Sequence, residues 1–154
     1  MKNWIFIVKA QGNVEAKTIY ATLMKEGEWG LGEKTPRRTR IEPDDRVVFY
    51  LGSPMMQFAG TARTTSKAIP RSAEQKRHLR EEVKIPDVSD YMVSLSDIET
   101  WIVPKDAKTI VPSLEFIGKK DAWGVYLQGG VREVSDADYA RIVAAAGAPG
   151  AAGV

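Results

Sequence analysis

The chain has 154 residues, 44% of them hydrophobic, and a formal net charge of +2. That length suits one domain with one sizeable core, and the balance excludes both a disordered chain and a strongly basic coat. There is no cysteine, which removes disulfides, thiolate metal ligands and a cysteine nucleophile and fits a reducing, cytoplasmic setting.

The apolar run Trp4–Val8 is too brief for a membrane span and lacks a small-residue cleavage site; its β-branched and aromatic content predicts a buried strand. A helix is expected from Asn13, as its cap, to about Lys25, with Ala16, Ile19, Tyr20, Leu23 and Met24 on one face and Gly27 closing it. Residues 26–40, EGEWGLGEKTPRRTR, follow as a loop. Turns at 42–45 and 52–55 frame a buried strand at 46–51. A third strand, 57–64, is expected to carry Phe58, Gly60 and Ala62 on one side, with Gly60 leaving room for a close approach.

Residues 66–88 are charged, poor in apolar side chains and marked by Pro70 and Pro86; they predict an exposed excursion with a helix near 73–83. A strand at 91–95 is extended or followed by 98–104. A short helix is expected at 112–117, a strand at 123–128, and a tight turn at Gly129–Gly130. Ser135 and Asp138 open a last helix striped by Tyr139, Ile142, Val143 and Ala146. One domain, 1–145, is thus expected ahead of a frayed Ala/Gly/Pro tail, 146–154. The elements do not alternate strictly. A mixed α+β fold is predicted, a small curved sheet or open β-barrel with peripheral helices.

Catalytic signatures fail in context. Gly27, Gly32, Lys34 and Thr35 nearly spell a phosphate-binding loop, but Glu33 interrupts it, a helix precedes it and Pro36 follows. The single histidine, His78, sits in EQKRHLREE and reads as an exposed helix residue. The carboxylate pairs Asp44–Asp45, Asp87–Asp90 and Asp136–Asp138 lie where turns or helix caps explain them. The expectation is a binding protein rather than an enzyme, with no metal and no cofactor.

Four tryptophans remain. Trp4 and Trp101 lie in apolar strands and belong to the core; Trp123 suits either role. Trp29 sits between glycines with Lys34, Arg37, Arg38 and Arg40 close behind. An open indole there offers a stacking face to a base, and the cations offer phosphate contacts. The alternative is that Trp29 plugs one end of the barrel and the arginines form a solvated edge.

The order of segments NWIFIV, WGLG…RTRIEPDDRVVFYLG, FAGTARTTSKAIP, YMVSLSDIETW and LEFIGKKDAWGVYLQGGVREVSDADYARIV resembles the EVE domain, over about residues 3–144. That family belongs to the PUA-like superfamily and is related to YTH domains. The resemblance implies a PUA-like barrel with a pocket for one nucleobase, often a methylated cytosine or adenine. It also implies nucleic acid as partner, DNA more than RNA, and a nuclease or ATPase partner protein, with no membrane role. Trp29 and Gly30 match the family's pocket wall, Tyr50 the facing strand, and Phe58 and Gly60 the floor. Arg37, Arg38 and Arg40 match the stretch facing the backbone, joined by Lys34. Backbone groups near Gly30 and Ser53, with Gln128, complete the expected pocket. YTH domains add cage tryptophans where 66–90 has none; Tyr91 is the nearest aromatic. This points to one stacking wall, and to a cytosine derivative or a base read mainly by hydrogen bonds. The alternatives on the same fold are a small-molecule or protein-interaction module and an RNA binder of methyladenine or tRNA.

Overall fold

The computed structural model describes residues 1–146; the remainder of the expected tail, 147–154, lies outside the described residues. Strand β1 (Asn3–Val8) pairs in parallel with β3 (Arg46–Leu51) and antiparallel with β7 (Val131–Val134). Beyond β3 come β4 (Gln57–Thr64), β6 (Tyr91–Asp106) and β2 (Glu28–Leu31), giving the order β2-β6-β4-β3-β1-β7, with the short β5 (Ile69–Pro70) also on β6. All pairings except β1–β3 are antiparallel.

Both faces of the central strands are covered, which is why β1 and β3 read as unbroken apolar runs. Side chains alternate across the pleat. Trp4, Phe6, Val47 and Phe49 enter a core under helix α1 (Ala16–Glu26); Ile5, Ile7, Val48 and Tyr50 enter a second core under helix α4 (Asp136–Ala146). Buried Asp45 ties the sheet's end: its carboxylate accepts from the Lys2 amide at 2.8 Å, Trp4 Nε1 at 2.9 Å and the Glu42 amide at 2.9 Å.

Several sequence expectations are corrected. Helix α1 starts at Ala16, after Glu15, which makes no side-chain cap bond, and not from a cap at Asn13. Gly27 does close it, at φ 70°, its amide donating to Leu23 and Met24 carbonyls. The expected loop after it holds β2, paired from Glu28↔Ser94 to Leu31↔Tyr91. On β4 the register shifts: Phe49 faces Gly60 while Tyr50 faces Phe58, leaving Ala59 as the extra residue of a bulge. Phe58 therefore turns into the second core while Ala59 and Ala62 stay in the first. The segments at 91–95 and 98–104 belong to one strand, β6.

The helix expected at 112–117 comes earlier, as α3 (Ala107–Ile110) followed by a 3₁₀ turn, Val111–Ser113. Residues 123–128 are not a strand; Lys120–Tyr126 forms 3₁₀ turns with Val125 exposed. Neither is the excursion merely surface. Ser72 and Gln75 form a reciprocal capping box on helix α2 (Ala73–Arg77), which runs into a π-type turn, His78–Glu82. That turn swings Leu79 inward; Leu79 and Ile85 are both buried in the first core.

Candidate functional site

A cavity of about 520 Å³ opens between β2, the end of β1 and the excursion. Its apolar wall includes Ile19, Leu23, Trp29, Leu79 and Ile85; its polar wall includes Arg71, Asp87, Ser89 and Asp90. Such a volume lies within the range of about 300–1,000 Å³ that holds small ligands, and its lining is about as polar as it is apolar.

Local structure sets each group. The β2–β6 pairing turns Trp29 and Leu31 inward, and Gly30 between them faces the excursion. A methyl on Gly30 would collide with Ser89 Oγ and stand 3.1 Å from Arg71 Nη2, so glycine is what admits both. The β5–β6 pairing directs the next residue, Arg71, inward; its amide donates to the Asp90 carbonyl at 2.8 Å. The Arg71 side chain is 2% exposed and its Nη1 pairs with Glu28, while its Nε is buried without a hydrogen-bond partner among the described residues. Ser89 Oγ donates to the Tyr91 carbonyl at 3.1 Å. Asp90 takes Lys76 Nζ at 2.8 Å, and that bond holds its carboxyl below the usual range.

Of the expected pocket residues, Trp29 and Gly30 line this cavity. Trp29 is no open shelf, however: it is 2% exposed, with Phe49 at 4.8 Å and Phe6 stacked at 5.9 Å between ring centroids. The plug reading of Trp29 holds for the ring, which also contributes to the cavity lining. Tyr50 and Phe58 pack together at 5.3 Å in the second core, on the far face of the sheet, and burial pushes the Tyr50 hydroxyl up to about 12. The space at Gly60 is filled by the chain itself, since a Cβ there would meet Tyr20 Oη and the Glu99 carbonyl, each at 2.5 Å. Tyr91 lies half-buried under Arg38, whose guanidinium stands 3.9 Å from its ring centroid. Ser53 and Gln128 are exposed and stand outside the cavity lining.

The basic stretch divides. Arg38 is held by Tyr91 and by its Nε donating to the Glu33 carbonyl at 3.2 Å, and Arg40 pairs with Glu133 at 3.0 Å. Lys34 and Arg37 are exposed, and among the described residues neither joins an ion pair. Their loop is anchored to the cavity rim at Gly32, whose amide donates to Thr35 Oγ1 at 2.9 Å. Sequence reasoning did not place Arg71, Leu79, Ile85 or Ser89 at the pocket. Leu79 and Ile85 carried a signal, being isolated apolar residues in a charged stretch; Arg71 and Ser89 carried none.

No protein-family model and no curated protein matches the chain. Solved structures do. Human THYN1 in complex with 5-methylcytosine-containing DNA superposes with a TM-score of 0.61 at 8% identity, covering 94% of this chain and 97% of that one. The YTH domain of Zygosaccharomyces rouxii MRB1 in complex with N6-methyladenosine RNA gives 0.60 at 11% identity, over 93% of this chain and 86% of that one. Rpa0253 from Rhodopseudomonas palustris gives 0.61 at 13% identity, over 96% and 94%. The fold is therefore PUA-like, a curled mixed sheet with helices on both faces. No helix among the described residues is long and apolar enough to cross a membrane.

Proposed function

We propose that this chain is an EVE-type reader of a modified base, a binder and not an enzyme, which takes one extruded nucleotide of DNA into the cavity beside Trp29 and Gly30. The observation that carries the reading is that cavity, of small-ligand size and with a buried arginine on its wall, in a fold shared with proteins solved on methylated DNA and RNA. Trp29 forms the fixed back wall. Leu79 and Ile85 supply apolar contact from the excursion, and Lys34 and Arg37 meet the strand's phosphates. Extrusion from a duplex costs a few kcal/mol. A buried methyl returns on the order of 0.8 kcal/mol, only a few-fold in affinity, so selectivity rests on polar groups that a wrong base leaves unpaired. Action on the bound site falls to a nuclease or ATPase partner in the cytoplasm.

The test is a binding screen over oligonucleotides, DNA and RNA, differing at one position by cytosine, 5-methylcytosine, adenine or N6-methyladenine. One modified base should bind several-fold tighter than its parent, and Gly30→Ala, whose methyl would collide with Ser89 Oγ and crowd Arg71 Nη2 on the cavity wall, should remove most of that difference. Equal binding throughout, unaltered by Gly30→Ala, would sink the reading. Asp87 and Asp90 on the wall favour a second one, a small uncharged ligand without a polymer. Free nucleosides binding as tightly as oligonucleotides would select it.

A further inference from the structure

Arg71 uses one end of its guanidinium and leaves the other. Nη1 is committed to Glu28. In a planar guanidinium the Nε–H and the outer Nη2–H run side by side, a fork suited to two adjacent acceptors. Here that edge comprises Nε, buried with no partner, and Nη2, beside the strand position where Gly30 presents no side chain. A buried donor left unmatched is unfavourable, and this one belongs to a residue on the cavity wall. Among the described residues no acceptor meets Nε, and a ligand seated against Nη2 at Gly30 is placed to supply one.

Charge narrows the class. Glu28 offsets the guanidinium, Lys76 offsets Asp90, and Lys9 stands on the same lining as Asp87, so the charges around the cavity are close to balanced. A balanced lining suits a neutral heterocycle better than an anion, which would leave one of these carboxylates facing a like charge.

We infer that the Nε–Nη2 edge of Arg71 selects the base, so that the cavity takes a heterocycle presenting two neighbouring acceptors. This rests on the reading of the cavity as a base pocket. Cytosine presents O2 and N3, and guanine presents O6 and N7. Adenine sets its amino donor beside each acceptor of that edge, and thymine and uracil place N3–H between their carbonyls. A methyl at cytosine C5 lies away from the O2–N3 edge, which leaves it free to meet the apolar wall.

The experiment uses the whole chain and single-stranded oligonucleotides with one variable position. Cytosine or guanine derivatives should bind tighter than adenine or thymine. Replacing the preferred base by its deaza analogue, 3-deazacytosine or 7-deazaguanine, should weaken binding about five- to hundredfold, and the analogue that does so names the base. Arg71→Lys, with its fold checked by circular dichroism, should level the preferences. If neither deaza analogue weakens binding while Gly30→Ala still does, the inference fails and the base pocket stands. If binding ignores Gly30→Ala as well, both fail. Tighter binding of inorganic phosphate by Glu28→Gln than by the parent chain, at the same place as the oligonucleotide, would overturn the inference in favour of an anion site.

Discussion

Trp29 carries two duties that conflict in a single side chain. Its ring is packed against Phe6 and Phe49 in the interior, yet it forms part of the cavity wall. Truncation would therefore act on the fold first. Trp29→Ala should cost about 3–5 kcal/mol of stability, read by urea unfolding, so weakened binding in that variant would say nothing about stacking; Trp29→Phe keeps the core and is the informative change. The burial was readable in the sequence after all. Glu28-Trp29-Gly30-Leu31 alternates as a strand does, but the flanking glycines and the arginine run suggest a loop, and pairing with β6 overrides that local signal. Arg71 shows the opposite limit: nothing local distinguishes it from its neighbouring cations, because its burial depends on Glu28 and Gly30, far away in the chain.

The excursion is the element whose position decides the cavity, and its attachment to α1 titrates. His78 bridges Glu82, Nδ1 to Oε2 at 2.6 Å, and Glu26 on α1, Nε2 to Oε1 at 2.9 Å. Arg77 beside it holds Glu74, Glu81 and Glu82. The hydrogen bonds to Glu82 and Glu26 raise the His78 pKa above 6.5, and those from His78 and Arg77 lower that of Glu82 below 4.5. A raised imidazole stabilises the clasp fully below its unfolded value and loses that contribution as pH rises through the folded one. The lowered carboxylate contributes above its unfolded value and loses that contribution as pH falls through the folded one. Amide protection across 73–85, followed by hydrogen exchange corrected for intrinsic rates, should therefore peak between the two. His78→Asn should remove the alkaline decline and leave the acid one. At this scale the bounds of β3 and β4, and of β1 but for Asn3, were readable because apolar or alternating runs mark them; the bulge at Ala59 that turns Phe58 to the other face was not. Residues 123–128 were not. Apolar content there mimics a strand, but the chain already has β7 to cover β1, and Val125 is left in solvent.

Over the whole molecule a net charge of +2 provides no broad attraction for a polyanion, so polymer binding depends on where single cations are free. Lys34 and Arg37 are free among the described residues; Arg40 is tied to Glu133 and Arg38 to Tyr91. Replacing Lys34 and Arg37 with Ala should weaken binding across all sequences and flatten the salt dependence by about 0.7–0.9 for each phosphate no longer neutralised. Arg40→Ala should change the slope less. An unaltered slope in the double variant would mean that the strand crosses another face. The curved mixed sheet itself could be anticipated, since its strand count and irregular alternation exclude a doubly wound fold; the strand order could not, because it is fixed by pairings between distant segments.

Strand β1 lies between β3 and β7. Its first neighbour, Arg46–Leu51, is made well before its second, Val131–Val134, so a growing chain holds one row of β1 peptide groups bare until residue 134 has emerged. Over that interval the nascent sheet offers an apolar edge to any other copy close by, and β7 is the strand that seals it.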